Sequence, residues 1–275
     1  MLRDITLGQY FPGTSLFHKA DPRVKILLAL YYIVIIFFAK TVASYVFLIL
    51  ATVCLVLGSQ IPIKTVLRSF RALIFIIIFT SVINLFWTRG ETLWVSFGII
   101  KIYREGVIQA CKMVIRLACL LCGSGVILSY TTSPIALTDG LERLLSPMKV
   151  LHVPVHEFSM MMTIALRFIP TLIEETDKIM NAQKARGADF SSGGLLKRVK
   201  ALVPVLIPLF VSAFRRADEL AVAMECRCYH GGKGRTRMTK LHLSVSDLIL
   251  TLIFLAAGTA LIALNYVHLS QLLHM

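Results

Sequence analysis

The sequence predicts an all-α, polytopic helical membrane protein with about five membrane spans and long amphipathic helices on the cytoplasmic side. Hydrophobic residues make up 57% of the 275 residues and charged residues only 16%. A soluble domain is closer to half apolar and a quarter charged. The mean hydropathy is +0.77, and the apolar residues form long runs flanked by basic segments, which is typical of helices that cross a bilayer. One core of this size cannot bury so much apolar surface, so we expect lipid to solvate the remainder.

The spans follow one another along the chain. Residues 1–21 contain no apolar stretch of signal-peptide length, so we expect no cleaved leader. Asp21-Pro22 is a helix-start signal, since Asp caps and Pro fits the first turn, and Lys25 and Lys40 should reach the two interfaces by snorkelling. The predicted spans are residues 23–39, 41–63, 72–88, a fourth starting near residue 105 and uncharged over 117–138, and 248–267.

Basic residues set the predicted orientation. The chain has 29 Lys+Arg against 15 Asp+Glu, a net charge of +14, and most of these cations fall before the first span, after the second span, and in residues 131–247. Because basic loops are retained in the cytoplasm, we predict a multi-pass protein of the bacterial inner (cytoplasmic) membrane with its N-terminus inside and its C-terminus outside. Acids are interleaved with the cations of residues 131–247, which argues against a nucleic-acid footprint.

Three regions are predicted: N-terminal transmembrane helices (1–130), a cytoplasmic-side helical region (131–247) and a C-terminal transmembrane helix (248–275). Prolines divide the middle region, since each removes an amide donor and clashes with the preceding turn. The predicted helices there are 134–145, 155–168, 170–186 and 197–229, with a break at Pro170. Their amphipathic composition favours a body at the inner membrane surface. A separately folded soluble domain is the alternative.

Enzyme templates fail on inspection. His156-Glu157 begins like the zinc-protease helix motif, but Met160 stands where the second His is needed. The glycine-rich turn at residues 231–234 lacks the leading glycine of a P-loop. The six cysteines show no metal-site pattern or disulfide framework. We therefore expect no catalytic residue, no metal site and no cofactor bound by this chain.

Two arginines stand in matched settings, 41 residues apart. Arg186 lies in Ala185-Arg186-Gly187 and Arg227 in Cys226-Arg227-Cys228, each at the end of a long predicted helix. Capping of the helix dipole is one interpretation. Docking on another protein is the other, because small neighbours allow close approach and Arg offers five donors. Three adjacent methionines, Met160, Met161 and Met162, form either core or an adaptable contact surface.

The chain resembles the energy-coupling factor (ECF) transporter transmembrane subunits, the EcfT family that includes CbiQ- and BioN-like proteins, over nearly its whole length. The motifs that carry the resemblance are Gly8-Gln9-Tyr10, Pro12-Gly13-Thr14-Ser15, His18-Lys19-Ala20-Asp21-Pro22-Arg23-Val24-Lys25, Thr131-Thr132-Ser133-Pro134, Leu166-Arg167-Phe168-Ile169-Pro170, Ala182-Gln183-Lys184-Ala185-Arg186-Gly187-Ala188-Asp189-Phe190, Arg216-Ala217-Asp218-Glu219-Leu220-Ala221 and Glu225-Cys226-Arg227-Cys228-Tyr229.

The resemblance implies a non-catalytic scaffold of an ATP-driven importer of a micronutrient, a vitamin or a metal ion. Its implied partners are two ATP-binding-cassette (ABC) ATPase subunits, which would hold ATP and Mg²⁺, and a small substrate-binding membrane subunit (S subunit). In the family two Ala-Arg-Gly motifs end coupling helices and dock on the ATPases. Arg186 matches the first motif fully. Arg227 matches the second, although Cys226 and Cys228 replace Ala and Gly, which puts the form of that helix end in question.

Two other functions remain to be weighed. A stand-alone secondary transporter predicts internal repeats and charges at mid-membrane, and the sequence shows neither. An intramembrane hydrolase requires a nucleophile and base in one site, and the failed template offers none.

Overall fold

The computed structural model describes residues 10–88, 92–97, 100–190, 194–231 and 241–273, and within them the protein is helical. The α-helices are α1 (Leu16–Lys19), α2 (Pro22–Phe38), α3 (Val42–Gly58), α4 (Ile63–Trp87), α5 (Arg104–Ser124), α6 (Pro134–Leu144), α7 (Val155–Ala185), α8 (Leu195–Glu225) and α9 (Val245–Leu273). A π-helical turn (Gly125–Tyr130) continues α5, and a 3-10 helix (Ser146–Leu151) precedes α7. The all-α prediction is confirmed. One small ribbon that the sequence did not indicate, β1 (Leu93–Phe97) paired antiparallel with β2 (Ile100–Tyr103), lies between α4 and α5.

The chain folds into two compact units. The bundle unit comprises residues 8–141 and 241–275, and the α7–α8 unit comprises residues 142–240 together with residues 1–7, which lie outside the described part. The functional division at residues 130 and 247 stays a prediction.

Helices α2, α3, α5 and α9 form the core of the bundle unit. Ile36, Ile127 and Leu261 are fully buried there. At one point α2 and α5 approach so closely that only glycine fits, because a Cβ on Gly123 would lie 2.2 Å from the ring of Tyr32. The Tyr32 hydroxyl donates to the carbonyl oxygen of Cys119 at 2.9 Å, which satisfies a polar group inside the bundle.

The apolar helices of the bundle unit identify a membrane protein. Among the described residues, Arg104–Tyr130 and Val245–Tyr266 are long and apolar enough to cross a bilayer, and Val42–Gly58 and Ile74–Trp87 are shorter apolar helices. In the most apolar windows of the two long helices only 22% and 28% of residues are buried. A core helix of a soluble protein would be mostly buried, so lipid is the solvent that these surfaces require. The count of five spans stays a prediction.

The N-terminus of α2 is held by buried charged groups. The predicted cap is confirmed, since the Asp21 carboxylate accepts from the Arg23 amide at 2.9 Å and Pro22 opens the helix. The prediction that Lys25 snorkels to the interface is wrong. Its side chain is buried, because the buried residues Thr131 and Thr132 offer it acceptors inside the bundle: the ammonium donates to the Thr131 carbonyl at 3.0 Å and to the Thr132 hydroxyl at 3.1 Å.

Asp247 completes this buried cluster. Its carboxylate accepts from the Asp21 amide and from the Ser244 amide, each at 2.7 Å. It lies in the first turn of α9, which begins at Val245 rather than at the predicted residue 248. A carboxylate there also suits the positive end of the helix dipole. The cluster therefore ties the starts of α2 and α9 to the turn that follows the π-helix.

The α7–α8 unit contains two helices of 31 residues each. The predicted break at Pro170 is wrong, since α7 runs without interruption from Val155 to Ala185 with Pro170 inside it. Pro204 and Pro208 lie inside α8 in the same way. Each proline removes one backbone hydrogen bond, and the many other bonds of so long a helix keep it continuous.

Candidate docking surfaces

Helices α7 and α8 are antiparallel. The Glu175 carboxylate pairs with the Arg216 guanidinium and accepts from the Ser212 hydroxyl at 3.1 Å. Nearer the start of α7, the Tyr229 hydroxyl donates to the Met160 sulfur at 3.0 Å. Residues later in α7 therefore contact residues earlier in α8. The C-terminal ends of the two helices lie at opposite ends of the pair.

The first arginine motif forms the end of α7. Gly187 has φ +87°, its amide donates to the Lys184 carbonyl at 2.9 Å, and the Ala188 amide donates to the Gln183 carbonyl at 3.0 Å. These two bonds define a Schellman motif, in which a left-handed residue ends the helix and satisfies free carbonyls. Arg186 is the C-cap residue immediately before that left-handed position. We call residues 185–187 the α7 tip.

The second arginine motif has the same backbone. Cys228 has φ +56°, its amide donates to the Glu225 carbonyl at 2.8 Å, and the Tyr229 amide donates to the Met224 carbonyl at 3.1 Å. Arg227 thus precedes the left-handed residue, as Arg186 does in α7. The sequence put this helix end in question because Cys replaces Gly, and the structure shows the same motif with a cysteine in the left-handed conformation. We call residues 226–228 the α8 tip.

The two tips are exposed and far apart. Arg186, Arg227 and their flanking motif residues are all exposed. Tyr229 contacts Met160, and Arg186 lies 26 residues further along α7, so the tips are separated along the helix axes by roughly 40 Å at 1.5 Å per residue. Two cationic forks at such a distance cannot serve one small ligand. They suit acidic or carbonyl acceptors on two separate macromolecular surfaces.

The three methionines do not share one environment. Met160 is half-buried and contacts Tyr229, whereas the side chains of Met161 and Met162 are exposed. The structure therefore places Met160 in internal packing and leaves its two neighbours available for a partner. Sequence reasoning treated the three as one surface.

A larger apolar surface lies on α8 and was not singled out as a site from the sequence. Its exposed side chains recur at helical spacing: Val203, Ile207, Phe210 and Phe214. The rings of Phe210 and Phe214 pack together with centroids 5.3 Å apart. We call this row the α8 stripe. Its signal in the sequence was the uncharged amphipathic run from 201 to 214. Contiguous exposed apolar surface marks contact with protein or membrane.

Metal-binding groups do not converge in the described part of the chain, where no three His, Cys, Asp or Glu residues lie together. His156 instead bonds through Nδ1 to Glu142 at 3.0 Å, joining the start of α7 to the end of α6. The glycine-rich turn at residues 231–234 falls, after Gly231, outside the described residues.

Comparison with known proteins adds a family to this geometry. Residues 13–240 match the profile of the CbiQ family, described as cobalt transport protein. A protein of Ruminiclostridium cellulolyticum named energy-coupling factor transporter transmembrane protein EcfT is 53% identical over 97% of this chain and 99% of its own length. Proteins of the same name from Acidaminococcus fermentans and Bacillus subtilis are 52% and 46% identical, over 97% and 94% of this chain and 98% and 97% of their own lengths.

Proposed function

Because the chain belongs to the CbiQ family and is a transmembrane component of a transporter of the energy-coupling factor type, we propose that it couples two ABC ATPase subunits to a small substrate-binding membrane subunit. The imported substrate would be a micronutrient, a vitamin or a metal ion. In this proposal the chain is not catalytic. ATP and Mg²⁺ are bound and used by the partner subunits.

One observation supports two ATPase sites in particular. Arg186 and Arg227 occupy the same position in the same helix-ending motif, at opposite ends of an antiparallel pair. Equivalent backbones present equivalent side chains, so each tip fits the same kind of groove. The separation of roughly 40 Å leaves room for one ATPase at each tip.

The proposed mechanism is rigid-body transmission. ATP binding closes the ATPases on each other and displaces the docked tips, and a pair of long packed helices transmits that displacement as a whole. Glu175 and Arg216 join the helices near their middle. At the α8 tip the connection is direct, because Tyr229 lies two residues beyond Arg227 and bonds to Met160. Movement of the tip therefore reaches the methionine segment without an intervening loop.

The substrate-binding subunit would contact the α8 stripe together with Met161 and Met162. These side chains are exposed and apolar, and a partner that is itself a bundle of membrane helices offers matching surface. Flexible thioethers can repack against partners of different shape. The proposed membrane topology has the N-terminus in the cytoplasm and the C-terminus outside the bacterial cell, because basic segments are retained in the cytoplasm.

The test reverses the charge of each tip. Three variants are co-expressed with the proposed ATPase and substrate-binding subunits: Arg186→Glu, Arg227→Glu and the double variant. Co-purification of the subunits and ATP-dependent uptake of the substrate are then measured. Truncating one member of a buried charged pair costs about 2–5 kcal/mol of binding, so each single variant should lose at least about tenfold in ATPase binding. The double variant should carry no ATPase.

Matched controls lie on the same helices. Lys178 on α7 and Arg215 on α8 are exposed and away from the tips, so Lys178→Glu and Arg215→Glu make the same kind of charge change without touching a tip. Both should keep ATPase binding near wild type. Full uptake by the double tip variant would exclude the anchoring role.

Reconstitution of the purified chain distinguishes the proposed coupling function from the alternative, stand-alone secondary transport. The purified chain alone in vesicles should neither hydrolyse ATP nor take up substrate along an ion gradient. Gradient-driven uptake by the chain alone would favour that alternative and remove the need for the tips.

A further inference from the structure

An apolar crevice opens in the bundle unit between α1, α2, α3 and α9. Its volume is about 410 Å³, within the range of roughly 300–1,000 Å³ typical of ligand pockets. The lining is almost wholly apolar and includes the small residues Ala51, Gly58 and Ala257. Water is disfavoured in such a space, because a bound water needs two to four polar partners.

The length of the crevice matches one leaflet of a bilayer. It runs along α3 from Phe47 to Gly58 and along α9 from Leu250 to Leu261. Each stretch contains 12 residues, so its ends lie about 17 Å apart along the helix. One leaflet of the hydrocarbon core is about 15 Å thick. The crevice thus extends from one interface to about the middle of the membrane.

The two ends of the crevice differ. At one end the C-terminal part of α9 lies beside the start of α3, as the bond from the Ser44 hydroxyl to Asn265 shows (2.6 Å). At the other end the lining comprises Leu16, Phe17 and Gly58, where α1 begins and α3 ends. Lys19 lies one turn after Leu16 on α1 and is exposed. Lys19 therefore lies on the same short helix as two residues that line this end of the crevice.

We propose that this crevice is a binding site for one acyl chain of an anionic phospholipid, whose phosphate lies at Lys19. An apolar slot as deep as a leaflet, with an exposed lysine on the short helix at one end, matches the shape and charge of that ligand. An acyl chain contributes about 0.8 kcal/mol per buried methylene. The headgroup adds the attraction between its phosphate and the Lys19 ammonium. The proposal does not depend on the ATPase contacts.

The test measures retained lipid by native mass spectrometry. The full chain is reconstituted in nanodiscs of dioleoylphosphatidylglycerol or dioleoylphosphatidylcholine, extracted in mild detergent, and washed. Wild type should retain one phospholipid per protein and prefer phosphatidylglycerol about fivefold, the ratio expected for one Lys at an anionic surface. Ala257→Phe fills the crevice and should lower retention of both lipids by about tenfold, which corresponds to the loss of about two methylene contacts.

Each variant has a matched control. Ala256, the neighbour of Ala257 on α9, is exposed and does not line the crevice, so Ala256→Phe should retain lipid as wild type does. Lys19→Glu should abolish the preference for phosphatidylglycerol and leave phosphatidylcholine retention unchanged. Lys40→Glu, at the other end of α2, should change neither. Ala51→Phe fills the slot from α3 and repeats the test if Ala257→Phe unfolds.

Three outcomes would overturn the proposal. Equal lipid retention by Ala257→Phe and Ala256→Phe would show that lipid binds elsewhere. An unchanged headgroup preference in Lys19→Glu would remove the anionic specificity. If Ala257→Phe retains lipid as wild type does but no longer co-purifies with a membrane subunit that is co-expressed with it, a protein helix occupies the crevice.

Discussion

Replacing Lys25 by Met tests whether the buried charged cluster holds the bundle unit together. Lys25 is only 2% exposed, and Asp21 and Asp247 are 6% and 3% exposed. Both carboxylates stabilise the ammonium electrostatically, Asp247 the more strongly. Met preserves the length and the apolar stem of the side chain and removes the charge. Asp21 then keeps the Arg23 guanidinium 3.7 Å away, and both carboxylates lose the attraction of the Lys25 ammonium.

The magnitude follows from the contacts. Lys25 donates two hydrogen bonds, at 3.0 and 3.1 Å, and a bond from a charged donor contributes about 1.5–3 kcal/mol. Removing one partner of a buried charged group costs about 3–5 kcal/mol by comparison with other proteins. Relief of the desolvation of Lys25 acts in the opposite direction, so we expect about 3 kcal/mol of lost stability.

The assay is thermal unfolding of the purified chain in detergent. At about 2–4 °C per kcal/mol for a chain of this size, the midpoint should fall by roughly 6–12 °C. Lys40→Met, at an exposed position, is the control and should melt with wild type. A Lys25→Met midpoint equal to or above wild type would refute the reasoning, because desolvation would then outweigh the attraction of both aspartates.

The helix ends and the helix pair give two further predictions. Gly187→Cys puts a side chain at φ +87° and should raise the hydrogen-exchange rate of the Ala188 amide about fivefold. Cys228→Gly removes a side chain from φ +56° and should lower the exchange rate of the Tyr229 amide two- to fivefold. Unchanged rates in both variants would mean that the left-handed residue does not control the stability of the helix end. Glu175→Gln removes the charge that pairs with Arg216. A partly exposed ion pair contributes about 1 kcal/mol to stability, so the thermal unfolding midpoint should fall by about 2–4 °C. Glu174→Gln, at the exposed neighbouring residue, is the control and should leave the midpoint unchanged.

Most helices could be predicted because their signals are local. Asp21-Pro22 starts α2 as expected, since capping depends on residues next to each other in sequence. The third predicted span, residues 72–88, covers only the last part of α4, which begins at Ile63. The first turns of α4 contain basic residues and were therefore not included in the predicted apolar span. The break at Pro170 failed for the opposite reason. A proline costs one hydrogen bond locally, and the other backbone bonds of α7, together with its contact with α8, outweigh that loss.

The two arginine-bearing helix ends could be predicted from the sequence, whereas their arrangement in space could not. Small neighbours around Arg186 and Arg227 indicated two matched helix ends, and both have the same backbone bonds. The antiparallel pairing that separates them depends on Glu175 and Tyr229, whose partners lie 41 and 69 residues away in sequence. The buried position of Lys25 could not be predicted for the same reason, since its acceptors lie 106 and 107 residues away in sequence. A lysine near the end of a span is expected to reach the interface only where no such buried acceptor exists.

If the chain couples two ATPases as proposed, the arrangement of the two tips has a mechanical consequence. If both arginines lay at the same end of the helix pair, closing of two docked proteins would press them against one point and leave the other end unmoved. At opposite ends of an antiparallel pair, the same closing force acts on both ends of a stiff body about 40 Å long and turns it as a lever. The α8 stripe runs between those ends, on the helix that ends in Arg227. In that proposal a partner bound along the stripe would follow the rotation, because the stripe lies on the same stiff body as the two tips.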